Sequence, residues 1–115
     1  NYIKTKEFKS EGSSITEGIG SSRVTKNFEK ALIDDAYSID DTTALTVLFD
    51  LIEKEGLSLG TSSGINVAGA IKLAQELGPN KTIVTILCDK SDRYQGKLFN
   101  KKFLMDKNLP YPKWL

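Results

Sequence analysis

The residues with the clearest chemical potential lie together in Gly60-Thr61-Ser62-Ser63-Gly64, where two glycines enclose three hydroxyl side chains. The segment follows a short apolar stretch and precedes a helical pattern, so we expect a strand-to-helix turn. Open α/β sheets bind ligands at such turns. The free N–H groups and positive dipole end of the helix attract negative or hydrogen-bonding groups. The segment therefore predicts one wall of a ligand site, although helix capping and tight packing explain such a turn equally well.

Few other residue types in the chain could support catalysis. The sequence contains no histidine, which removes the commonest general base and every Ser-His-Asp arrangement. Cys88 is the single cysteine and cannot build a zinc site. We expect Cys88 to be a buried core thiol. Asp89, Asp92 and Arg93 could orient a ligand, but a solvated surface pair is the commoner arrangement. The sequence therefore predicts no catalytic residue and no metal site.

Composition excludes several classes of partner. Lys and Arg total 16 against 15 Asp and Glu, with both signs scattered along the chain, so we expect neither nucleic acid nor an anionic membrane as partner. No apolar stretch approaches the roughly 20 residues that span a bilayer. The first residues, Asn1-Tyr2-Ile3-Lys4, do not resemble a signal peptide. A cytoplasmic protein whose printed sequence begins within a longer chain fits these features best.

Periodicity predicts two strong helices. The first begins at Asp40 or Asp41 and ends before Gly56, with apolar residues at helical spacing. The second is capped by Ser63 and ends at Gly78-Pro79. A third, surface helix with a buried stripe is expected within residues 97–107.

Three short strands are predicted between these helices, at residues 36–39, 57–59 and 82–88. The last is apolar on both faces, as expected of a parallel strand covered by helices on each side. The alternation of strands and helices predicts an α/β fold. Residues 9–22 are expected to form a long loop in which Gly18-Ile19-Gly20 is a tight turn, either a plain surface turn or a place where backbone approaches a ligand.

Several segments, in order, resemble the C-terminal part of the cysteine synthase family. They are residues 11–20 (EGSSITEGIG), 55–66 (EGLSLGTSSGIN), 82–89 (TIVTILCD) and Arg93-Tyr94. The closing residues 109–115 (LPYPKWL) resemble the tail of one bacterial branch. The resemblance covers nearly the whole chain.

This resemblance implies a fold and an activity. Family members are pyridoxal-phosphate enzymes of fold type II (tryptophan synthase β-like), usually homodimers, that make cysteine from O-acetylserine and sulfide. The chain would then be α/β, with a partial doubly wound sheet. Residues 1–115 would form a single incomplete domain, the C-terminal segment of the large cofactor-binding domain.

The resemblance also implies roles for particular residues. Ser62 aligns with the serine that hydrogen-bonds the pyridine nitrogen of pyridoxal phosphate, and Gly60, Thr61 and Ser63 belong to the same cofactor-binding motif. Gly18, Ile19 and Gly20 resemble the stretch that lines the mouth of the substrate cleft. Cys88-Asp89 resembles the strand end that packs beneath the cofactor ring.

Other family features lie before Asn1 in the family order: the lysine that carries the cofactor, the phosphate loop and the substrate-carboxylate loop. Ser21-Ser22 and Lys90-Ser91 also depart from the family pattern by replacing glycine with serine. We therefore expect the chain alone to be inactive, its partners being the missing N-terminal half or a homodimer partner, and a small-molecule substrate. The alternatives are an inactive remnant or small binding module, and a chain that pairs with a separately encoded N-terminal half.

Overall fold

A computed structural model describes residues 14–15 and 25–115 of the chain. After a short helix α1 (Lys26–Glu29), the first long helix is α2 (Asp41–Glu55). Its start is fixed by Asp40, whose carboxylate accepts a hydrogen bond from the Thr43 N–H at 2.8 Å. Its end is fixed by Gly56 in the left-handed conformation, with φ of 67°. Both boundaries confirm the sequence prediction.

The second long helix, α3 (Thr61–Leu77), begins earlier than predicted. Gly60 occupies the N-cap position without a side-chain hydrogen bond, so the prediction that Ser63 caps this helix is wrong. Ser63 lies inside the first turn because the helix can start at a glycine whose own N–H is already bonded outside the helix. The predicted end is confirmed, since Gly78 is the C-cap with φ of 82°.

Helices α2 and α3 pack closely through Gly64. A Cβ atom at Gly64 would lie 2.7 Å from Leu48 Cγ and 2.8 Å from the Ala44 carbonyl oxygen. Both neighbours belong to α2, and Ala44 and Leu48 are almost fully buried. The missing side chain therefore allows the two helix backbones to approach, and this contact sets the position of the α3 N-terminus.

The C-terminal part of the chain also packs against α2. It consists of a 3₁₀ turn (Ser91–Tyr94), α4 (Gln95–Leu98) and α5 (Lys101–Asp106), so the single helix expected within 97–107 is divided. The division lies at Asn100, whose side chain accepts from the Phe103 N–H at 3.1 Å and caps α5. The buried core joins α2 to these elements; it comprises Leu45, Leu48, Phe49, Tyr94, Leu98 and Leu104.

The end of the chain also packs on α2. Trp114 meets Phe49 edge to face, with ring centroids 6.2 Å apart. Its indole N–H donates to Glu53 Oε1 at 2.9 Å. The tail thus packs against the core from its surface, with Trp114 half-exposed and Leu109 and Leu115 partly buried.

The predicted strands do not form a ladder among the described residues. The only β-type pairing there is a single antiparallel bridge between Leu59 and Lys90, and residues 36–39 and 82–88 run without regular structure. A strand requires a second extended segment alongside to bond its N–H and C=O groups, and no described segment lies there. Val84 and Ile86 are 85% and 65% exposed. The partial sheet is therefore not confirmed, and residues 82–88 are not covered on both faces.

Residues 36–39 instead lie against the outer side of α3. The Tyr37 hydroxyl donates to Glu76, and the Lys72 ammonium lies 5.2 Å from the centroid of the Tyr37 ring. The hydrogen bond to the Glu76 carboxylate raises the pKa of Tyr37 to about 12. An open groove of about 340 Å³ remains between this segment, α3 and residues 83–85.

Candidate functional site

The turn that starts α3 is held from outside the helix by the segment that follows residue 88. The Gly60 N–H donates to the Asp89 carbonyl at 2.9 Å, and the Ser91 N–H donates to the Ser58 carbonyl at 3.2 Å. The hydroxyls of Ser58 and Ser91 are also hydrogen-bonded. These bonds are possible because both segments are extended at this point and run antiparallel. They fix the start of α3 relative to Asp89.

Asp89 supplies a second link, through its side chain. Its Oδ2 accepts a hydrogen bond from the Tyr94 hydroxyl at 2.8 Å and lies 3.5 Å from Arg93 Nη1. The Arg93 side chain is 73% exposed and that of Asp89 only 25%, so the ion pair contributes little. Tyr94 belongs to the buried core. The carboxylate is therefore anchored by Tyr94, a role that the sequence interpretation did not assign to this residue.

Gly60 is required by this arrangement. A Cβ atom there would overlap Asp89 Oδ1 and lie 2.7 Å from Tyr94 Cε2. The backbone of Gly60 itself is ordinary, with φ of −76° and ψ of 169°, which any residue can adopt. Glycine is needed here for space, and this confirms the tight-packing interpretation of this part of the turn.

The three hydroxyls of the motif lie in different surroundings. Ser62 is half-buried, and its hydroxyl has no hydrogen-bond partner among the described residues. Thr61 is 1% exposed, and its Oγ1 is buried without a partner in the same part of the chain. Ser63 is fully buried and accepts from the Cys88 N–H at 3.0 Å. The Ser63 hydroxyl is thus used within the fold, whereas those of Thr61 and Ser62 have no partner in the described ranges, and only that of Ser62 is partly exposed.

Cys88 is exposed, so the expectation of a buried core thiol is wrong. Burial would need a cover on both faces of residues 82–88, and α3 covers only one. Asn66 of α3 donates from Nδ2 to the Ile86 carbonyl at 2.9 Å and lies 3.6 Å from Cys88 Sγ. Side chains of α3 therefore hold residues 86–88 where sheet neighbours were expected.

The predicted cleft-mouth residues Gly18, Ile19 and Gly20 lie outside the described residues. Ile15 is among the described residues, and two hydrogen bonds hold its backbone. Its N–H donates to Asp41 Oδ2 at 2.9 Å, and its carbonyl accepts from Lys97 Nζ at 3.3 Å. The structure thus reports only on the start of the segment that leads to Gly18.

The turn can bind a polar group but offers no acid, base or nucleophile of its own. The N–H groups of the first helical turn have no acceptor within the helix, and they lie beside the half-buried Ser62. Asp89 Oδ1 is buried without a hydrogen-bond partner in the described ranges. Across residues 14–15 and 25–115, no group of three metal-ligating side chains comes together. In those ranges no helix has the length and apolar character needed to cross a membrane.

Buried polar atoms without partners are costly, about 1–3 kcal/mol each. Two such atoms lie here: Thr61 Oγ1 is part of the turn, and Asp89 Oδ1 lies against Gly60. Asp89 Oδ1 is enclosed against Gly60, so Thr61 Oγ1 is the buried atom of the motif itself that lacks a partner in the described ranges. A hydrogen-bonding ligand at the N-terminus of α3 fits the N–H groups of the first turn and the half-buried Ser62 hydroxyl.

Comparison with known proteins gives this turn a context. A sequence profile of the family described as "Pyridoxal-phosphate dependent enzyme" matches residues 2–89. The matched range includes the whole turn at residues 60–64 and Asp89.

Individual relatives agree with the profile. Cysteine synthase 1 of Neurospora crassa is 44% identical over 100 residues, covering 85% of this chain and 27% of the relative. Cysteine synthase of Dictyostelium discoideum is 43% identical over 95 residues, covering 83% and 25%. The O-acetylserine dependent cystathionine beta-synthase of Bacillus subtilis is 37% identical over 82 residues, covering 71% and 27%. The chain spans about a quarter of the length of these relatives and matches their C-terminal parts.

Proposed function

The chain belongs to the pyridoxal-phosphate dependent enzyme family, and on that premise we propose that it supplies the C-terminal part of the cofactor site of a cysteine synthase. The observation that carries the proposal is the half-buried Ser62 hydroxyl at the N-terminus of α3, without a partner in the described residues. Pyridoxal phosphate, when bound, supplies the electron-withdrawing ring that stabilises negative charge beside the amino group of the substrate.

The Ser62 hydroxyl would donate a hydrogen bond to the pyridine nitrogen and keep its proton. A neutral hydroxyl cannot hold that nitrogen protonated as a carboxylate would. The positive end of the α3 dipole further disfavours a positive charge there. The nearby Asp89 carboxylate is not in competition, since Oδ2 is bonded to Tyr94 and Oδ1 is buried against Gly60. The neutral Ser62 hydroxyl and the positive end of the α3 dipole both favour an uncharged ring nitrogen. An uncharged nitrogen suits elimination and replacement at the β-carbon.

The remaining residues of the motif would position this donor. Gly60 holds the turn against Asp89 because no side chain intervenes. Ser63 bonds the Cys88 N–H and so fixes residues 86–88 beside the turn. The buried Thr61 Oγ1 would meet a polar group that arrives with the cofactor. In this assignment Gly60, Thr61 and Ser62 contact the ligand, and Ser63 acts through the fold.

The wider proposal concerns the other parts of the enzyme. Residues 36–39, 57–59 and 82–88 would become strands of a doubly wound sheet when the N-terminal part of such an enzyme lies beside them. Residues 1–115 would then be the C-terminal segment of the large cofactor-binding domain, with Gly18, Ile19 and Gly20 at the mouth of the substrate cleft. The substrate would be an activated serine such as O-acetylserine, with sulfide replacing its acetyl ester. The cofactor lysine and phosphate loop would come from the N-terminal part.

The test uses complementation and a spectroscopic readout of the ring nitrogen. The chain is co-expressed with the N-terminal part of the Neurospora crassa relative, ending where the similarity begins, and is loaded with pyridoxal phosphate labelled with ¹⁵N in the ring. We expect the two parts to copurify with cofactor and the ¹⁵N chemical shift to be that of an unprotonated, hydrogen-bonded pyridine.

Ser62→Ala should weaken cofactor binding about threefold to tenfold, the loss of one hydrogen bond, and move the ¹⁵N shift. Ser62→Asp should protonate the ring nitrogen. The matched control is Ser38→Ala, which alters an exposed serine away from the turn and should change neither. A ring nitrogen unaffected by both Ser62 variants would refute the assignment. Failure of the two parts to bind cofactor together would favour a remnant without turnover.

A further inference from the structure

Ser91 is one of the serines that stand where the cysteine synthase pattern has glycine. It is only 5% exposed and begins the 3₁₀ turn Ser91–Tyr94. Among the described residues other than glycine, only Asn80 and Asn108 have a positive φ, so Ser91 keeps a backbone that any residue can adopt. The replacement therefore brings no strain in φ. What the fold has to accommodate is the added hydroxyl, because a buried hydroxyl without a partner is destabilising.

Ser58 supplies the partner for this hydroxyl. The two Oγ atoms lie 2.5 Å apart, and the Ser91 N–H donates to the Ser58 carbonyl at 3.2 Å. Because Leu59 and Lys90 form an antiparallel bridge, residues 58 and 91 are directly opposed. Hydrogen-bonded hydroxyl side chains at opposed residues stabilise two adjacent extended segments. The serine at residue 91 is thus matched by a serine at the residue that faces it.

The same bridge holds the turn that starts α3. Side chains two residues apart in an extended segment share one face, so the serine pair lies on the face where Gly60 opposes Asp89. The Gly60 N–H donates to the Asp89 carbonyl at 2.9 Å, and the Asp89 carboxylate accepts from the Tyr94 hydroxyl. Tyr94 ends the 3₁₀ turn that Ser91 begins. The serine pair therefore adds a side-chain bond to the contacts that set the distance between Gly60 and Asp89.

We propose that Ser58 and Ser91 are positioning residues for the cofactor turn, and that Ser58 compensates for the glycine-to-serine replacement at residue 91. This inference rests on the proposed role of Ser62. Ser62 lies two residues after Gly60, so a shift of Gly60 against Asp89 moves the Ser62 hydroxyl as well. A hydrogen bond weakens as its distance and angle depart from the optimum. Cofactor binding thus depends on the serine pair, although neither serine contacts the cofactor.

Two variants of Ser58 separate the hydroxyl from the space that it occupies. Ser58→Thr keeps the hydroxyl, whereas Ser58→Val has the same shape without it, and the exposed position gives both room for the added methyl groups. In the chain alone, NMR measures the scalar coupling across the hydrogen bond from the Gly60 N–H to the Asp89 carbonyl. This coupling reports the geometry of the folded state and not its stability. It should fall in Ser58→Val and in Ser91→Ala, and it should stay unchanged in Ser58→Thr.

The consequence for the cofactor is measured in the complex with the N-terminal part of the Neurospora crassa relative, with pyridoxal phosphate as the probe. Ser58→Val and Ser91→Ala should each raise the dissociation constant of the cofactor about twofold to fivefold, the effect of one opposed side-chain pair. The double variant should lose no more than either single variant, since both remove the same bond. Ser58→Thr should bind the cofactor like the unchanged chain.

Three results would overturn the proposal. The first is a coupling between Gly60 and Asp89 that stays unchanged in Ser58→Val, because the serine pair would then contribute stability at most. The second is an unchanged cofactor affinity of Ser58→Val in a complex that does bind cofactor. The third is Ser58→Thr behaving like Ser58→Val, which would remove the hydroxyl as the cause. A complex that binds no cofactor refutes the Ser62 assignment instead, and the coupling in the chain alone still decides whether the serine pair positions the turn.

Discussion

Replacing Gly60 by alanine tests whether the turn is held by packing against Asp89. The added Cβ would overlap Asp89 Oδ1 and crowd Tyr94 at 2.7 Å. Alanine accepts the backbone conformation of Gly60, so strain in φ and ψ does not contribute. The whole effect must come from the contact with Asp89 and Tyr94.

The magnitude follows from what has to move. If the Asp89 carboxylate swings away, its hydrogen bond from Tyr94 is lost, which costs about 1.5–3 kcal/mol for a charged acceptor. The ion pair with Arg93 adds little because Arg93 is exposed. If the turn shifts instead, overpacking costs about 1–3 kcal/mol. A less flexible unfolded chain offsets about 0.4–1 kcal/mol. We expect Gly60→Ala to lower the free energy of unfolding by about 2 kcal/mol.

Urea denaturation followed by circular dichroism at 222 nm and by the fluorescence of Trp114, the single tryptophan, measures this change. The control is Gly69→Ala, where a Cβ meets nothing within 4 Å and the helix interior gains up to about 1 kcal/mol. The double variant Gly60→Ala/Asp89→Ala removes the overlapping oxygen, so its loss should be smaller than the sum of the two single losses. The reasoning is refuted if Gly60→Ala is as stable as Gly69→Ala, or if the two single losses simply add.

Two further predictions concern the helices that position the turn. Gly64→Ala should destabilise the chain by about 1–3 kcal/mol, since the Ala44 carbonyl at 2.8 Å from the new Cβ is backbone; urea midpoints equal to those of Gly69→Ala would contradict this. Asp40→Ala should cost about 1 kcal/mol at neutral pH by removing the α2 cap, with Asp34→Ala as the exposed control. The hydrogen bond from Thr43 lowers the pKa of Asp40 below 3.8, so its stabilisation is present above that value and is lost as the pH falls through the folded pKa. Urea midpoints measured from pH 7 to pH 2 should converge for Asp40→Ala and the unchanged chain, and a constant difference would contradict the assignment.

Local chemistry determined the long helices and their ends. Asp40 begins α2 and Gly56 ends it, as the capping pattern predicts, because a cap depends on residues within one turn of each other. Gly78 likewise ends α3. The location of the turn at residues 60–64, between an extended segment and α3, was also predictable from residues 57–64 alone.

The start of α3 was not predictable in detail, since Ser63 satisfies the capping preference as well as Gly60 does. The structure places the cap at Gly60 because its N–H reaches the carbonyl of Asp89, 29 residues further along the chain. A tyrosine five residues after a carboxylate, Tyr94 after Asp89, was the one signal in the sequence for the anchor at this turn. Contacts between the turn and residues 88–89 therefore decide which serine hydroxyl is hydrogen-bonded. That of Ser63 is bonded to Cys88, and that of Ser62 has no partner in the described residues.

The strands show the same division between local and long-range effects. The sequence of residues 82–88 determined a segment suited to a sheet, since β-branched and apolar side chains favour extended backbone. Whether such a segment becomes a strand depends on a neighbour that bonds its open edge, and tertiary structure decides that. In this chain Ser63 and Asn66 hold one side of residues 86–88, which leaves Cys88 exposed and the backbone groups of residues 83, 85 and 87 without a described partner. The sequence thus determined which residues suit a strand and which carry hydroxyls at the turn. The three-dimensional contacts decided that the Ser63 hydroxyl is bonded to Cys88, whereas that of Ser62 has no partner in the described residues.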